Sequence, residues 1–96
     1  MEKLQDRVAL VTGSAQGMGY TIARCLLEEG ARVLINDVNQ ETIDRAVAEL
    51  DKEFPGRVKG RKADVTNKAE VQAMIDDLCR EWGTIDILVN NAGGSL

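Results

Sequence analysis

The chain has 96 residues, enough for one small domain and too few for two. Hydrophobic residues make up 44% and charged residues 29%, which excludes a disordered or fibrous chain and fits an ordinary globular one. The net charge of −4, from 12 basic and 16 acidic side chains, gives no electrostatic footprint for nucleic acid.

The first element is the apolar run Val8-Ala9-Leu10-Val11, which reads as a buried parallel strand. It runs straight into Thr12-Gly13-Ser14-Ala15-Gln16-Gly17-Met18-Gly19, with glycines spaced G-x-x-x-G-x-G. Ile22, Ala23, Leu26 and Leu27 then carry a helical stripe, predicting a helix over residues 18–29. A tight turn between strand and helix aims free backbone N–H groups, and the positive end of the helix dipole, at one point. That point suits an anionic diphosphate. Glycine serves such a turn because it adopts positive φ and lets a phosphate or a neighbouring strand come close.

The next strand, Ala31-Arg32-Val33-Leu34-Ile35-Asn36, ends at Asp37, 18 residues after Gly19. That is close to the ~20-residue spacing of an acidic residue that binds an adenosine ribose. A carboxylate there accepts from ribose hydroxyls and repels a 2′-phosphate, so the implied cofactor is NAD rather than NADP. Neither Gln16 nor Val38 offers the cation that a 2′-phosphate would want.

Ile43, Ala46, Val47 and Leu50 predict a second helix over residues 40–53, with Asn39 as N-cap and Pro55-Gly56 as the stop. Residues 57–63 form a weaker strand whose alternation places it at a sheet edge. Its basic residues Arg57, Lys59, Arg61 and Lys62 read as a solvated edge and not as a phosphate groove. Val71, Met74, Ile75, Leu78 and Trp82 predict a third helix over residues 67–82. Asn67 and Glu70 fit a capping box there, and Gly83 fits the stop. Residues 85–90, Ile-Asp-Ile-Leu-Val-Asn, read as a fourth, buried-type strand, and Asn91-Ala92-Gly93-Gly94 follows.

The order βαβαβαβ implies a parallel sheet with right-handed crossovers. Two crossovers on one face and a third returning over strand 1 on the other give the strand order 3-2-1-4. The fold class is α/β, a Rossmann-type doubly wound sheet.

Several classes are excluded by what the chain lacks. No apolar run approaches the ~18–20 residues that span a bilayer. The opening Met1-Glu2-Lys3-Leu4-Gln5-Asp6-Arg7 is too charged for a secretory leader. With no histidine, and with Cys25 and Cys79 far apart, neither a zinc site nor a Ser-His-Asp or Cys-His unit is available within the chain. The expectation is two free thiols in a reducing, cytoplasmic compartment, with no metal, no nucleic acid and no membrane.

The glycine turn, Asp37, Asp64-Val65 after strand 3 and Asn90-Asn91-Ala92-Gly93 after strand 4 together resemble the short-chain dehydrogenase/reductase family. The flavour is that of its 3-oxoacyl-carrier-protein reductase, sugar dehydrogenase and hydroxysteroid dehydrogenase branch. The resemblance covers the whole chain but only the N-terminal part of a family member, and so implies that residues 1–96 are the NAD-binding N-terminal part of a single Rossmann-type domain, here truncated. It implies that Gly13, Ser14, Gln16, Gly17, Met18 and Gly19 form the turn, of which Ser14, Gln16, Gly17 and Met18 line the diphosphate and nicotinamide ribose. It implies that Asp37 binds the adenosine ribose with Val38 flanking it. Asp64 would meet the adenine amino group, Val65 the ring, and Asn91, Ala92 and Gly93 the ribose near the switch point between strands 1 and 4. Thr12 and Asn90 have an architectural reading, tying strands together, and so does Asp64, closing the loop before the third helix.

The implied activity is interconversion of a secondary alcohol and a ketone by hydride transfer. The family's Ser and Tyr-x-x-x-Lys catalytic set is expected beyond Leu96. The only tyrosine, Tyr20, is followed four positions on by Arg24, the wrong type of partner, and sits on the glycine-turn helix. Residues 1–96 alone are therefore expected to be inactive, with no catalytic residue among them. Two other functions compete: a non-catalytic nucleotide-binding module, and a structural fragment that assembles with another chain. The apolar fourth strand, left at a sheet edge, calls for cover by a second copy or by a further C-terminal segment.

Overall fold

The computed structural model describes residues 3–92. Four parallel strands run β1 (Val8–Val11), β2 (Arg32–Asp37), β3 (Val58–Lys62) and β4 (Ile87–Val89), in the order β3-β2-β1-β4. The helices between them are α1 (Gly17–Glu28), α2 (Gln40–Glu53) and α3 (Lys68–Trp82). Gly93, one of the expected ribose neighbours, lies outside the described residues, as does Gly94.

Two apolar layers sandwich the sheet. Ala23 and Leu27 of α1 and Ile43, Ala46 and Leu50 of α2 pack on Ala9, Val11, Val33 and Ile35. On the opposite face Met74 and Leu78 of α3 pack on Val8, Leu10 and Leu34. The alternation along β1 and β2 thus sends one set of side chains to each layer, as both-sided burial of a parallel strand requires. It also seats α1 and α2 together and α3 alone, the doubly wound arrangement expected from right-handed crossovers.

Local rules explain the element ends. Asn39 Oδ1 accepts the Thr42 N–H at 3.1 Å, Asn67 Oδ1 accepts the Glu70 N–H at 3.2 Å, and Gly83 closes α3 with φ 87°. The reciprocal half of the α3 capping box does not form. Glu70 Oε1 instead accepts the Asp64 N–H at 3.0 Å, tying the loop after β3 to the helix.

β4 is shorter than its apolar run. Its pairing starts at Ala9↔Ile87, because Asp86 closes the strand's mouth against Val8 through Oδ2 at 2.9 Å and its own N–H at 2.8 Å. Its burial is also less than the sequence implied. Leu88 is 62% exposed, because among the described residues nothing packs over the outer side of this strand.

At the other edge, Lys59 and Arg61 of β3 turn to α3. Lys59 pairs with Glu81 at 2.9 Å and lies 5.4 Å from the Trp82 ring centre, and Arg61 pairs with Asp77. Cys25 and Cys79 are free and exposed.

Candidate functional site

The strands' carboxyl ends bring four loops together: the glycine turn after β1, Asp37-Val38 after β2, Asp64-Val65 after β3, and Asn90-Asn91-Ala92 after β4. In open α/β sheets this is where ligands bind, at the point where strand order reverses between β1 and β4.

The three glycines of the turn do three different things. Gly13 has φ 61°, and a β-carbon there would lie 3.0 Å from Ala92 Cα, so the turn and the β4 loop meet backbone to backbone. Gly17 has φ 66° and open space where a side chain would be. Gly19 is buried. A β-carbon on it would overlap the Gly13 carbonyl and stand 2.8 Å from Asn91 Nδ2. Gly19→Ala is therefore expected to destabilise the fold by about 1–3 kcal/mol, the usual cost of overpacking. Thermal unfolding of the variant checks this, and an unchanged midpoint would contradict it.

The start of α1 differs from the other two helix starts. Asn39 and Asn67 cap α2 and α3, and Glu41 and Glu70 sit in their first turns. Gln16, at the α1 N-cap, makes no side-chain capping bond, and no acidic residue follows in the first turn. The first N–H groups of α1 thus have neither an intrahelical acceptor nor a cap. The exposed side chains of Gln16 and Met18 stand beside them.

Thr12 links the turn to β4. Its hydroxyl accepts the Asn91 and Ala92 N–H groups, each at 3.0 Å, and reaches Asn90 Oδ1 at 3.3 Å. Asn91 Nδ2 donates to the Gly13 carbonyl at 3.0 Å. Ser14 lies beneath the turn and not at its surface. It is fully buried, and its hydroxyl donates to the Val11 carbonyl at 2.7 Å.

Asp37 is half-buried at the end of β2. Its Oδ2 accepts the Ala15 N–H at 3.1 Å and its Oδ1 the Val38 N–H at 3.0 Å. Each carboxylate oxygen retains a further acceptor position. Val38 is exposed beside it. Asp64 Oδ1 accepts both the N–H and the hydroxyl of Thr66, at 2.9 and 2.7 Å, and the hydroxyl first, then the N–H, hold its carboxyl below the usual range. This closes the loop before α3 and leaves Oδ2 without a partner among the described residues. Val65 lines, with Thr12, Leu88 and Asn90, a recess of about 190 Å³.

One neighbour of the turn escaped the sequence reading. Arg45, on α2, lines a recess of about 260 Å³ with Ala15, Gln16, Gly17 and Thr42. It makes no ion pair among the described residues. Only the packing of α2 beside α1 brings it there. Tyr20 lines the same recess and donates its hydroxyl to Glu49. Burial first, and Glu49 second, push its pKa up to about 12.

Residues 7–96 match the family model described as short chain dehydrogenase. A hydroxy(phenyl)methylsuccinyl-CoA dehydrogenase subunit of Thauera aromatica is 48% identical over 90 residues, which are 94% of this chain and 36% of that protein. The crystal structure of a short chain dehydrogenase from Mycobacterium smegmatis superposes with a TM-score of 0.91 at 38% identity, over 97% of this chain and 39% of that one. L-sorbose reductase from Gluconobacter frateurii, complexed with NADPH and L-sorbose, gives 0.90 at 33% identity, over 97% and 36%. The chain thus spans a little over a third of the length of the relatives it matches.

Proposed function

The chain belongs to the short chain dehydrogenase family, and from that membership we propose that its residues form the NAD-binding part of an oxidoreductase that interconverts a secondary alcohol and a ketone. The observation that carries this reading is the uncapped start of α1 behind an open Gly17, with the Asp37 carboxylate at the neighbouring strand end. Free N–H groups and the helix dipole attract a diphosphate. A carboxylate with acceptor positions to spare takes ribose hydroxyls. The residues present therefore fit a dinucleotide.

In this reading Gly13, Gln16, Gly17, Met18 and Gly19 shape the diphosphate turn, with Ser14 supporting it from below. Asp37 and Val38 hold the adenosine ribose, and Asp64 and Val65 the adenine. Asn91, Ala92 and Gly93 face the ribose at the switch point. The nicotinamide, when bound, supplies the hydride acceptor or donor. The contribution of this chain is to bind and orient, which is where proximity gains arise.

Proton transfer at the substrate oxygen falls, in this proposal, to groups elsewhere in the whole protein. Tyr20 is poorly suited to it. A proton-transfer group works best with a pKa near the working pH, and burial and Glu49 move Tyr20 the other way. The exposed Leu88 on the edge strand β4 supports cover by a second copy or by further chain of the same protein. The free, exposed thiols support a reducing, cytoplasmic setting.

Calorimetry on the whole protein tests the cofactor assignment. NAD should bind more tightly than NADP, since a 2′-phosphate would approach the Asp37 carboxylate. Equal affinities would refute the NAD assignment, and Arg45 would then be the cation that tolerates the phosphate.

A further inference from the structure

Asn36 is fully buried, and it is bonded to two loops at once. The β1–β2 pairing ends at Val11↔Ile35, so the next backbone groups of β2 on that side have no strand partner. Ser14 replaces one. Its N–H donates to the Asn36 carbonyl at 2.8 Å, and its hydroxyl oxygen accepts the Asn36 N–H at 3.0 Å. On the other side, Asn36 Nδ2 donates to the carbonyls of Arg61 and Ala63, at 3.1 and 3.2 Å. The Ala63 N–H in turn donates to the Asp37 carbonyl at 3.1 Å.

This side chain is not simply a well-satisfied core polar group. Asn36 Oδ1 has no hydrogen-bond partner among the described residues. An orphaned buried acceptor costs stability, and an apolar residue of similar size would avoid that cost. What an apolar residue would lose is the pair of amide donors that hold the end of β3.

We propose that Asn36 is a positioning residue for the coenzyme: its backbone is bonded to Ser14 and its side chain to the Arg61 and Ala63 carbonyls, so the side chain fixes the end of β3 and the Asp64 loop relative to the glycine turn and Asp37. It touches no ligand itself, being fully buried. Its two neighbours along the proposed site, Ala15 N–H on Asp37 and Asp64 after Ala63, depend on that spacing. The effect belongs to the adenosine-diphosphate half, because all three segments contact that half in the functional reading on which this inference rests.

The test measures ADP-ribose and NAD affinity of the whole protein by calorimetry, at a temperature where circular dichroism shows each variant folded. Asn36→Val removes both side-chain polar atoms, leaves the backbone bonds to Ser14 in place, and should weaken both ligands about tenfold, by equal factors. Asn36→Ser keeps one donor and should weaken them about threefold, which keeps the test open if the valine variant does not fold. Leu50→Ala, at the far end of α2, should lower the unfolding midpoint and leave affinity within twofold. Unchanged affinity in the folded Asn36 variants would overturn the proposal, and so would an equal loss in Leu50→Ala, which would mark a general stability effect. A parent protein that binds neither ligand would overturn the coenzyme reading and this inference with it. A parent that binds while the Asn36 variants bind equally well removes this inference alone.

Discussion

Gly17→Val is expected to weaken NAD binding by at least about 100-fold, near 3 kcal/mol, while the protein stays folded. The two halves of that expectation come from different observations. Among the described residues nothing lies within 4 Å of the position a Gly17 β-carbon would take, so the β-carbon of a valine meets no internal clash. It does meet a backbone at φ 66°, where a β-branched residue is an outlier, and strain there costs of order 1–3 kcal/mol. The isopropyl group would also stand over the free N–H groups at the start of α1, in the space a diphosphate needs. Gly19 provides the contrast, since its obstruction is internal and its substitution acts on stability. Calorimetry for NAD, paired with thermal unfolding, separates the two. A Gly17→Val protein that binds NAD like its parent would show that the diphosphate does not sit on this turn.

Asp37→Ala is expected to weaken NAD by about 1.5–3 kcal/mol, the range for hydrogen bonds to a charged group. It should also relax discrimination against NADP. Part of the loss has a second source, because Asp37 Oδ2 holds the Ala15 N–H and so anchors the glycine turn to β2. Asp37→Asn separates the contributions. It keeps an acceptor for Ala15 and removes the charge, so it should recover NAD affinity in part and still admit NADP. Arg45 gives the relaxed site a cation beside Gln16. The measurement is the ratio of NAD to NADP dissociation constants for the parent and both variants. A ratio that does not move in Asp37→Ala would remove Asp37 from coenzyme selection.

Much of the architecture was legible in the residues, for reasons that are local. Apolar spacing of three and four marks a helix face, and continuous apolar runs mark strands buried on both sides. Asn39, Asn67 and Gly83 act within one helical turn of themselves, so their roles as caps and stop follow from sequence neighbours. Strand order 3-2-1-4 followed from the handedness of crossovers, which depends on chirality and not on particular side chains. The glycine spacing and the Asp37 interval pointed to the proposed site on the same grounds.

What the tertiary structure alone decided depends on residues far apart in the chain meeting in register. Ser14 and Asn36 are 22 residues apart, and Asn36 and Ala63 are 27. No periodicity carries information over such intervals. The identical-looking glycines of the turn divide into a backbone contact at Gly13, an open approach at Gly17 and a packing contact at Gly19 only once Ala92 and Asn91 arrive from β4. Glu70 leaves its expected capping partner because Asp64 N–H lies within its reach after folding. Arg45 joins the turn because α2 packs on the same face as α1. The residues alone determined which elements form and their order in the sheet, and so the strand ends that carry the proposed site, because backbone geometry and apolar patterning act locally. Folding decided which polar atoms are spent inside the protein and which remain free, because each hydrogen bond between distant segments consumes a donor or acceptor that would otherwise face a ligand.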